Sequence, residues 1–219
     1  EAPEEVNEVM EFCTQVGQKM AEYYMDAGCD VIALVDPMTS QIDPDTFETF
    51  VTPFVSRIFE FISQKGKLSS FFVCGHAQQN IEAMCNCRHD NVSIDENIPL
   101  DFVKEIALGK EISFGGNLKL TVILLMGTPD DCREHALECL DLGGKTGFIL
   151  APGCDLPRET PPENLTAVTE LVHDPYQQDV VRTLEKKESS LEVFNMKDYG
   201  QADKVIVDII TLDSESCAP

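Results

Sequence analysis

Positive charge is scarce in this sequence: sixteen Lys and Arg face thirty-nine Asp and Glu, a formal net charge of -23. Such a surface repels phosphate backbones and anionic membranes, so nucleic acid and membrane are excluded as partners. The acidity reads as a solubility feature. Long apolar runs are missing as well; none approaches the roughly 20 residues that span a bilayer, and residues 1–11 are acidic where a secretory signal would begin basic. Glycine-rich loops of the GxGxxG or Walker type do not occur, which removes the commonest nucleotide-binding patterns. A disulfide framework is missing too, because the nine cysteines are odd in number and scattered through 219 residues. That usage fits free thiols or metal ligands in a reducing, cytoplasmic setting.

What is present is a helix-then-strand rhythm repeated five times. Residues 4–27 carry Val6, Val9, Met10, Val16, Met20 and Tyr24 at helical spacing, and 29–36 follow as a buried strand that Pro37 breaks. Helical patterns at 47–62, 81–84, 100–108 and 129–142 precede strand-like runs at 71–74, 91–96, 111–117 and 147–151 respectively. This alternation predicts parallel strands joined by crossover helices, an α/β class. Each strand ends on a chemically capable group: Asp36, Cys74, Asp95 with Glu96, Asn117, and Cys154. A barrel gathers such ends around one mouth, so the expected fold is a (β/α)8 TIM-barrel type.

Five units do not close an eight-stranded barrel. The expectation is therefore the C-terminal five units of a longer barrel, residues 1–173, with a homodimer that completes the barrel as the alternative. A helical segment and linker would cover 174–203. A sixth strand-like run at 204–212, followed by Cys217-Ala218-Pro219, would open a thioredoxin-like redox domain in a C-terminal extension over 204–219.

Two cysteines stand out. Residues 147–157 read as a short apolar strand delivering Cys154 into a turn stiffened by glycine and proline, and 68–75 repeat the arrangement with Cys74 before Gly75. Thiols so placed are presented, and two of them in one fold suggest a shared site. Asp36, before Pro37, is a candidate proton acceptor or substrate-orienting carboxylate, with a loop-capping role of equal weight. Asn117 is a candidate hydrogen-bond partner for substrate. Cys85-Asn86-Cys87-Arg88-His89 offers three soft ligands at alternate positions, but at neither finger nor ribbon spacing, and reads as a coincidental loop. His135 and His173 read as ordinary surface or cap residues.

Several of these stretches, taken in order, resemble the uroporphyrinogen decarboxylase superfamily: Asp30 to Pro37 with Pro44, Phe47 and Pro53, Val73-Cys74-Gly75, Ser93-Ile94-Asp95-Glu96, Gly116-Asn117-Leu118, Gly127-Thr128-Pro129, and the block from Gly147 to Leu165. The resemblance implies one of two chemistries. Decarboxylases remove carboxyl groups from a tetrapyrrole without a cofactor; the methylcobamide methyltransferase branch uses zinc to activate a thiol that accepts a methyl group from a corrinoid carried by a partner protein. Gly153-Cys154-Asp155 stands where the decarboxylases carry a Gly-His-Gly loop, so the resemblance leans toward methyl transfer. On that reading Cys74 and Cys154 are zinc ligands, Asp36 and Asp95 are catalytic and Asn117 binds the cofactor or substrate. Two departures are plain. Phe72 stands where the branch places a ligating histidine, leaving His76, Glu96 or Asp95 as third ligand, and Lys119-Leu120 replaces the usual Asp-Pro after the asparagine. Porphyrinogen decarboxylation, and a non-catalytic barrel module that binds a corrinoid or partner protein, are the alternatives.

Overall fold

Proline and acidic residues start the first helix, α1 (Pro3–Asp26), with Pro at its opening turn and Glu4 and Glu5 beside the positive end of its dipole. The computed structural model describes residues 2–184. Inside that range, five strands alternate with helices: β1 (Val31–Val35), α2 (Pro44–Phe50), α3 (Thr52–Gln64), β2 (Leu68–Val73), α4 (Ile81–Met84), β3 (Asn91–Ile94), α5 (Leu100–Gly109), β4 (Ser113–Leu118), α6 (Pro129–Gly143), β5 (Phe148–Pro152) and α7 (Pro162–His173). All four strand pairings are parallel, in the order β1-β2-β3-β4-β5. Strand order thus equals chain order, with none of the reversal that marks a doubly wound sheet. These are five consecutive units of a (β/α) barrel, as the strand-end pattern predicts.

Register sorts the side chains into two layers. One cross-strand row runs Leu34, Phe71, Val92, Phe114, Phe148, and the next runs Val35, Phe72, Ser93, Gly115, Ile149. Phe71, Val92 and Phe114 are fully buried with Phe47, Phe59 and Ile62 of the helices, whereas Val35 and Ile149 are more than half exposed. The first row is the hydrophobic core beneath the helices, and the second is the concave inner face.

Two element boundaries differ from the sequence pattern, each for a local reason. The helical run 47–62 is split at Val51, because Pro53 sits in the first turn of α3 and has no N–H to continue α2. The strand expected over 91–96 stops at Ile94, because the Asp95 carboxylate takes the Asn97 backbone N–H and begins a turn.

The chain divides into two units, 1–171 and 172–219. Of the second, the described part includes a helix over 175–184, opened by Asp174, whose carboxylate accepts the N–H groups of Tyr176 and Gln177. The strand and the Cys217 motif expected over 204–219, and most of the expected linker, lie outside the described residues. Among the described residues no helix is long and apolar enough to cross a membrane.

Candidate functional site at the strand ends

A cavity of about 390 Å³ opens on the inner face, where Val35, Phe72, Ser93, Cys74, Cys154 and Asp155 line it. Strand alternation aims β2's last residues: Phe72 faces the cavity, Val73 is buried under the helices, and Cys74 faces the cavity again. Gly75 then turns the chain at φ 84°, a conformation that favours glycine, and donates its N–H to Asp95 Oδ2 at 2.6 Å. On the other side, Gly153 donates to the Leu118 carbonyl at 2.9 Å. A Cβ at Gly153 would lie 2.6 Å from Glu96 Oε2 and 2.9 Å from Glu96 N, so only glycine lets the loop approach the end of β3. Cys154 is delivered to the mouth by that approach.

The two thiols open into the same cavity. Burial, then the neighbouring Cys154 sulfur and the Asp95 carboxylate, holds the Cys74 thiol above its ordinary value. Without a nearby cation it is a neutral thiol at pH 7.

The other candidate residues fall in different places. Asp95 is 5 % exposed. It accepts from Gly75 N, from Asn97 Nδ2 at 2.7 Å and from Asn97 N at 2.9 Å, so it fixes the turn that follows Cys74. Asp36 Oδ1 accepts from Met38 N at 2.9 Å and caps the 3₁₀ turn Pro37–Gln41; it does not line the cavity. Asn117 does not line it either. Its Nδ2 donates to the Ile98 and Asp95 carbonyls at 2.9 and 3.3 Å, and its Oδ1 lies 3.9 Å from Cys139 Sγ, so it ties β4 to the loop after β3 and to α6. His76, past the Gly75 turn, is exposed and does not line the cavity.

Glu96, an expected candidate for third ligand, and His135, read as an ordinary surface or cap residue, make the following contacts. Glu96 Oε2 is buried beside Gly153 and has no hydrogen-bond partner among the described residues. His135 accepts the Lys119 N–H at Nε2, 3.2 Å, which leaves the ring proton on Nδ1 facing Glu138 at 3.1 Å. The spacing His135, Glu138, Cys139 was the available signal, since residues three and four apart share a helix face.

As donors, two thiols opening into one cavity, with the orphaned Glu96 oxygen beside the Gly153 that precedes Cys154, suit a divalent ion of zinc's character. Among the described residues, however, no three His, Cys, Asp or Glu side chains are already assembled around one point. Cys85, Cys87 and His89 do not converge. The first two are buried thiols pushed up by burial to about 12 and about 11. His89 donates Nε2–H to the Met84 carbonyl at 2.9 Å and packs edge-on against Phe59 and Phe71, with ring centroids 5.4 and 5.7 Å apart.

The chain's likeness to known proteins agrees with the barrel order. The family pattern of uroporphyrinogen decarboxylase (URO-D) matches residues 1–175. Methylcobamide:CoM methyltransferase MtaA of Methanosarcina barkeri is 29% identical over 163 residues, 74% of this chain and 46% of that protein. Uroporphyrinogen decarboxylase of Anaeromyxobacter sp. (strain Fw109-5) is 28% identical over 172 residues, 78% of this chain and 48% of that protein. Among solved structures, a methyltransferase from Methanosarcina mazei superposes with a TM-score of 0.67 at 28% identity, covering 75% of this chain and 48% of the other. The chain thus spans about half the length of the relatives it matches. It belongs to the uroporphyrinogen decarboxylase family.

Proposed function

We propose that the strand-end cavity is part of a methyl-transfer site, in which a zinc ion held by Cys74 and Cys154 activates an acceptor thiol toward a methyl group carried by a corrinoid. The observation that carries this reading is the opening of Cys74 and Cys154, from the ends of two strands, into one cavity. Burial, Cys154 and the Asp95 carboxylate disfavour ionisation of Cys74, and a divalent cation bound there would reverse that preference. Zinc, when bound, makes a coordinating acceptor thiol ionise at neutral pH and so become a nucleophile.

The chain's own groups have distinct tasks. Cys74 and Cys154 hold the ion, and the uncommitted Glu96 oxygen beside Gly153 is the candidate third donor, Phe72 having no atom to offer. Asp95 positions Cys74 through the Gly75 N–H. Phe72 and Val35 give the cavity an apolar wall that excludes water from the reacting sulfur. The names of the Methanosarcina relatives support this branch. Decarboxylation, the activity named for the Anaeromyxobacter relative, is the second reading, and its tetrapyrrole carboxylates would call for cationic partners. The corrinoid-bearing partner, the small thiol acceptor and a cytoplasmic setting are parts of the same proposal.

Metal analysis of the purified chain tests it. The expected result is one zinc per chain, lost when either Cys74→Ser or Cys154→Ser is made. Absence of zinc from protein whose thiols are all free and reduced overturns the reading. Demethylation of methylcobalamin by the complete protein with a thiol acceptor, followed by the cobalamin spectrum, then separates methyl transfer from decarboxylation.

A further inference from the structure

We propose that Cys74 and Cys154 form a reversible disulfide with each other, making the cavity mouth a thiol-oxidation site that bridges the ends of β2 and β5. Among the described residues, Cys13 and Cys29 are exposed and Cys85, Cys87, Cys132 and Cys139 are buried. Cys74 and Cys154 differ from both groups: they are half-buried and line one cavity wide enough for a small reagent, where Cys154 helps to raise the Cys74 pKa. Side chains that open into one cavity can turn toward each other, and a disulfide would set their sulfurs roughly 2.05 Å apart. The two backbones that carry them are held independently, Gly75 on Asp95 and Gly153 on Leu118, so closure pulls on no shared turn.

The oxidant is a small-molecule disulfide. The Cys154 thiolate attacks one of its sulfurs, forming a mixed disulfide and expelling one small thiolate. Cys74, after losing its proton to solvent, attacks the Cys154 sulfur, forms the protein disulfide and expels the second. Two protein thiols are oxidised, one small disulfide is reduced to two thiols, and the two protons reside on those products. This inference stands on the geometry of the pair and holds whether or not the site transfers methyl groups.

The test uses the chain with Cys13, Cys29 and Cys217 changed to Ser, treated with a chelator and equilibrated in glutathione buffers of rising oxidised fraction. Non-reducing peptide mapping is expected to yield a species joining the Cys74 and Cys154 peptides, reversed by added reduced glutathione. Cys74→Ser is expected to lose that species and to trap a mixed disulfide at Cys154. Separate glutathione adducts at the two positions without a cross-link, or two free thiols at full oxidation, overturn the inference. Prior addition of one equivalent of Zn²⁺ tells the two proposals apart. Cross-linking slowed at least tenfold fits both, cross-linking indifferent to zinc removes the zinc site alone, and zinc binding accompanied only by separate adducts removes the disulfide alone.

Discussion

Two groups of cysteines lie on opposite sides of one sheet. Cys74 and Cys154 face the concave side, where side chains are half-exposed and a cavity separates them from hydrocarbon; Cys85 and Cys87 lie with His89 among the helices, close to Phe59 and Phe71. By sequence the second group offered three soft ligands in five residues, though at neither finger nor ribbon spacing. Its side chains are dispersed by the short helix α4 and the turn after it: Cys87 Sγ contacts the Ala83 carbonyl and the Thr52 hydroxyl, and His89 reaches back to Met84. What brings sulfurs together is a common end of parallel strands. Nearness in the chain counts for less.

The contrast can be broken most severely by chemistry at the thiols. Native protein exposed to iodoacetamide is expected to label Cys74 and Cys154 at least about a thousandfold faster than Cys85 and Cys87, since access to the back cluster requires an opening that costs about 4 kcal/mol or more. Mass spectrometry of timed samples measures the ratio, and comparable rates would dissolve the distinction between front and back. Next in size, Phe71→Ala, which empties the back layer at its centre, should cost about 3–5 kcal/mol in chemical denaturation. Phe72→Ala, one residue along on the cavity side, should cost much less, and equal losses would mean that the layers are not separate.

Asp95→Asn sharpens the front of the comparison. It leaves the volume unchanged but removes the charge that holds the Gly75 turn, and is expected to weaken zinc roughly 10–100-fold through the misplaced Cys74; competition with a colorimetric chelator reads it. The smallest effect belongs to His89. Burial holds its pKa below the ordinary 6.5, against opposing contributions from its hydrogen bonds and Asp90. Its folded form therefore binds fewer protons than the unfolded chain, so its contribution to stability is complete above 6.5 and is lost as pH falls through that value. His89→Phe should flatten the acid side of the stability curve between pH 6.5 and 5, and an unchanged slope would show that His89 is not the group responsible.

The barrel order was legible in the sequence because strands buried under helices are continuous apolar runs, and because the polar group at each run's end marks one rim. The same logic brought Cys74 and Cys154 to a common rim. Side-chain direction beyond the last strand residue was not legible. Asp36 and Asn117 occupy strand ends as expected, yet one turns back to cap Met38 and the other ties down two carbonyls, choices made by the nearest unsatisfied backbone groups. Glu96 was legible as a candidate ligand, but its approach to Gly153, far away in sequence, was not. His135 escaped because its partner, Lys119 N, belongs to another element. The break at Val51 was written in Pro53 and overridden by the apolar period around it.

The pairing of every strand with its immediate predecessor bears on how the chain acquires its shape. Each strand after β1 pairs with one already synthesised, so its first ladder needs no later segment and the contacts between successive units are short in sequence. Pulling experiments on nascent chains should register successive gains in compaction, one for each new strand, in place of a single late collapse.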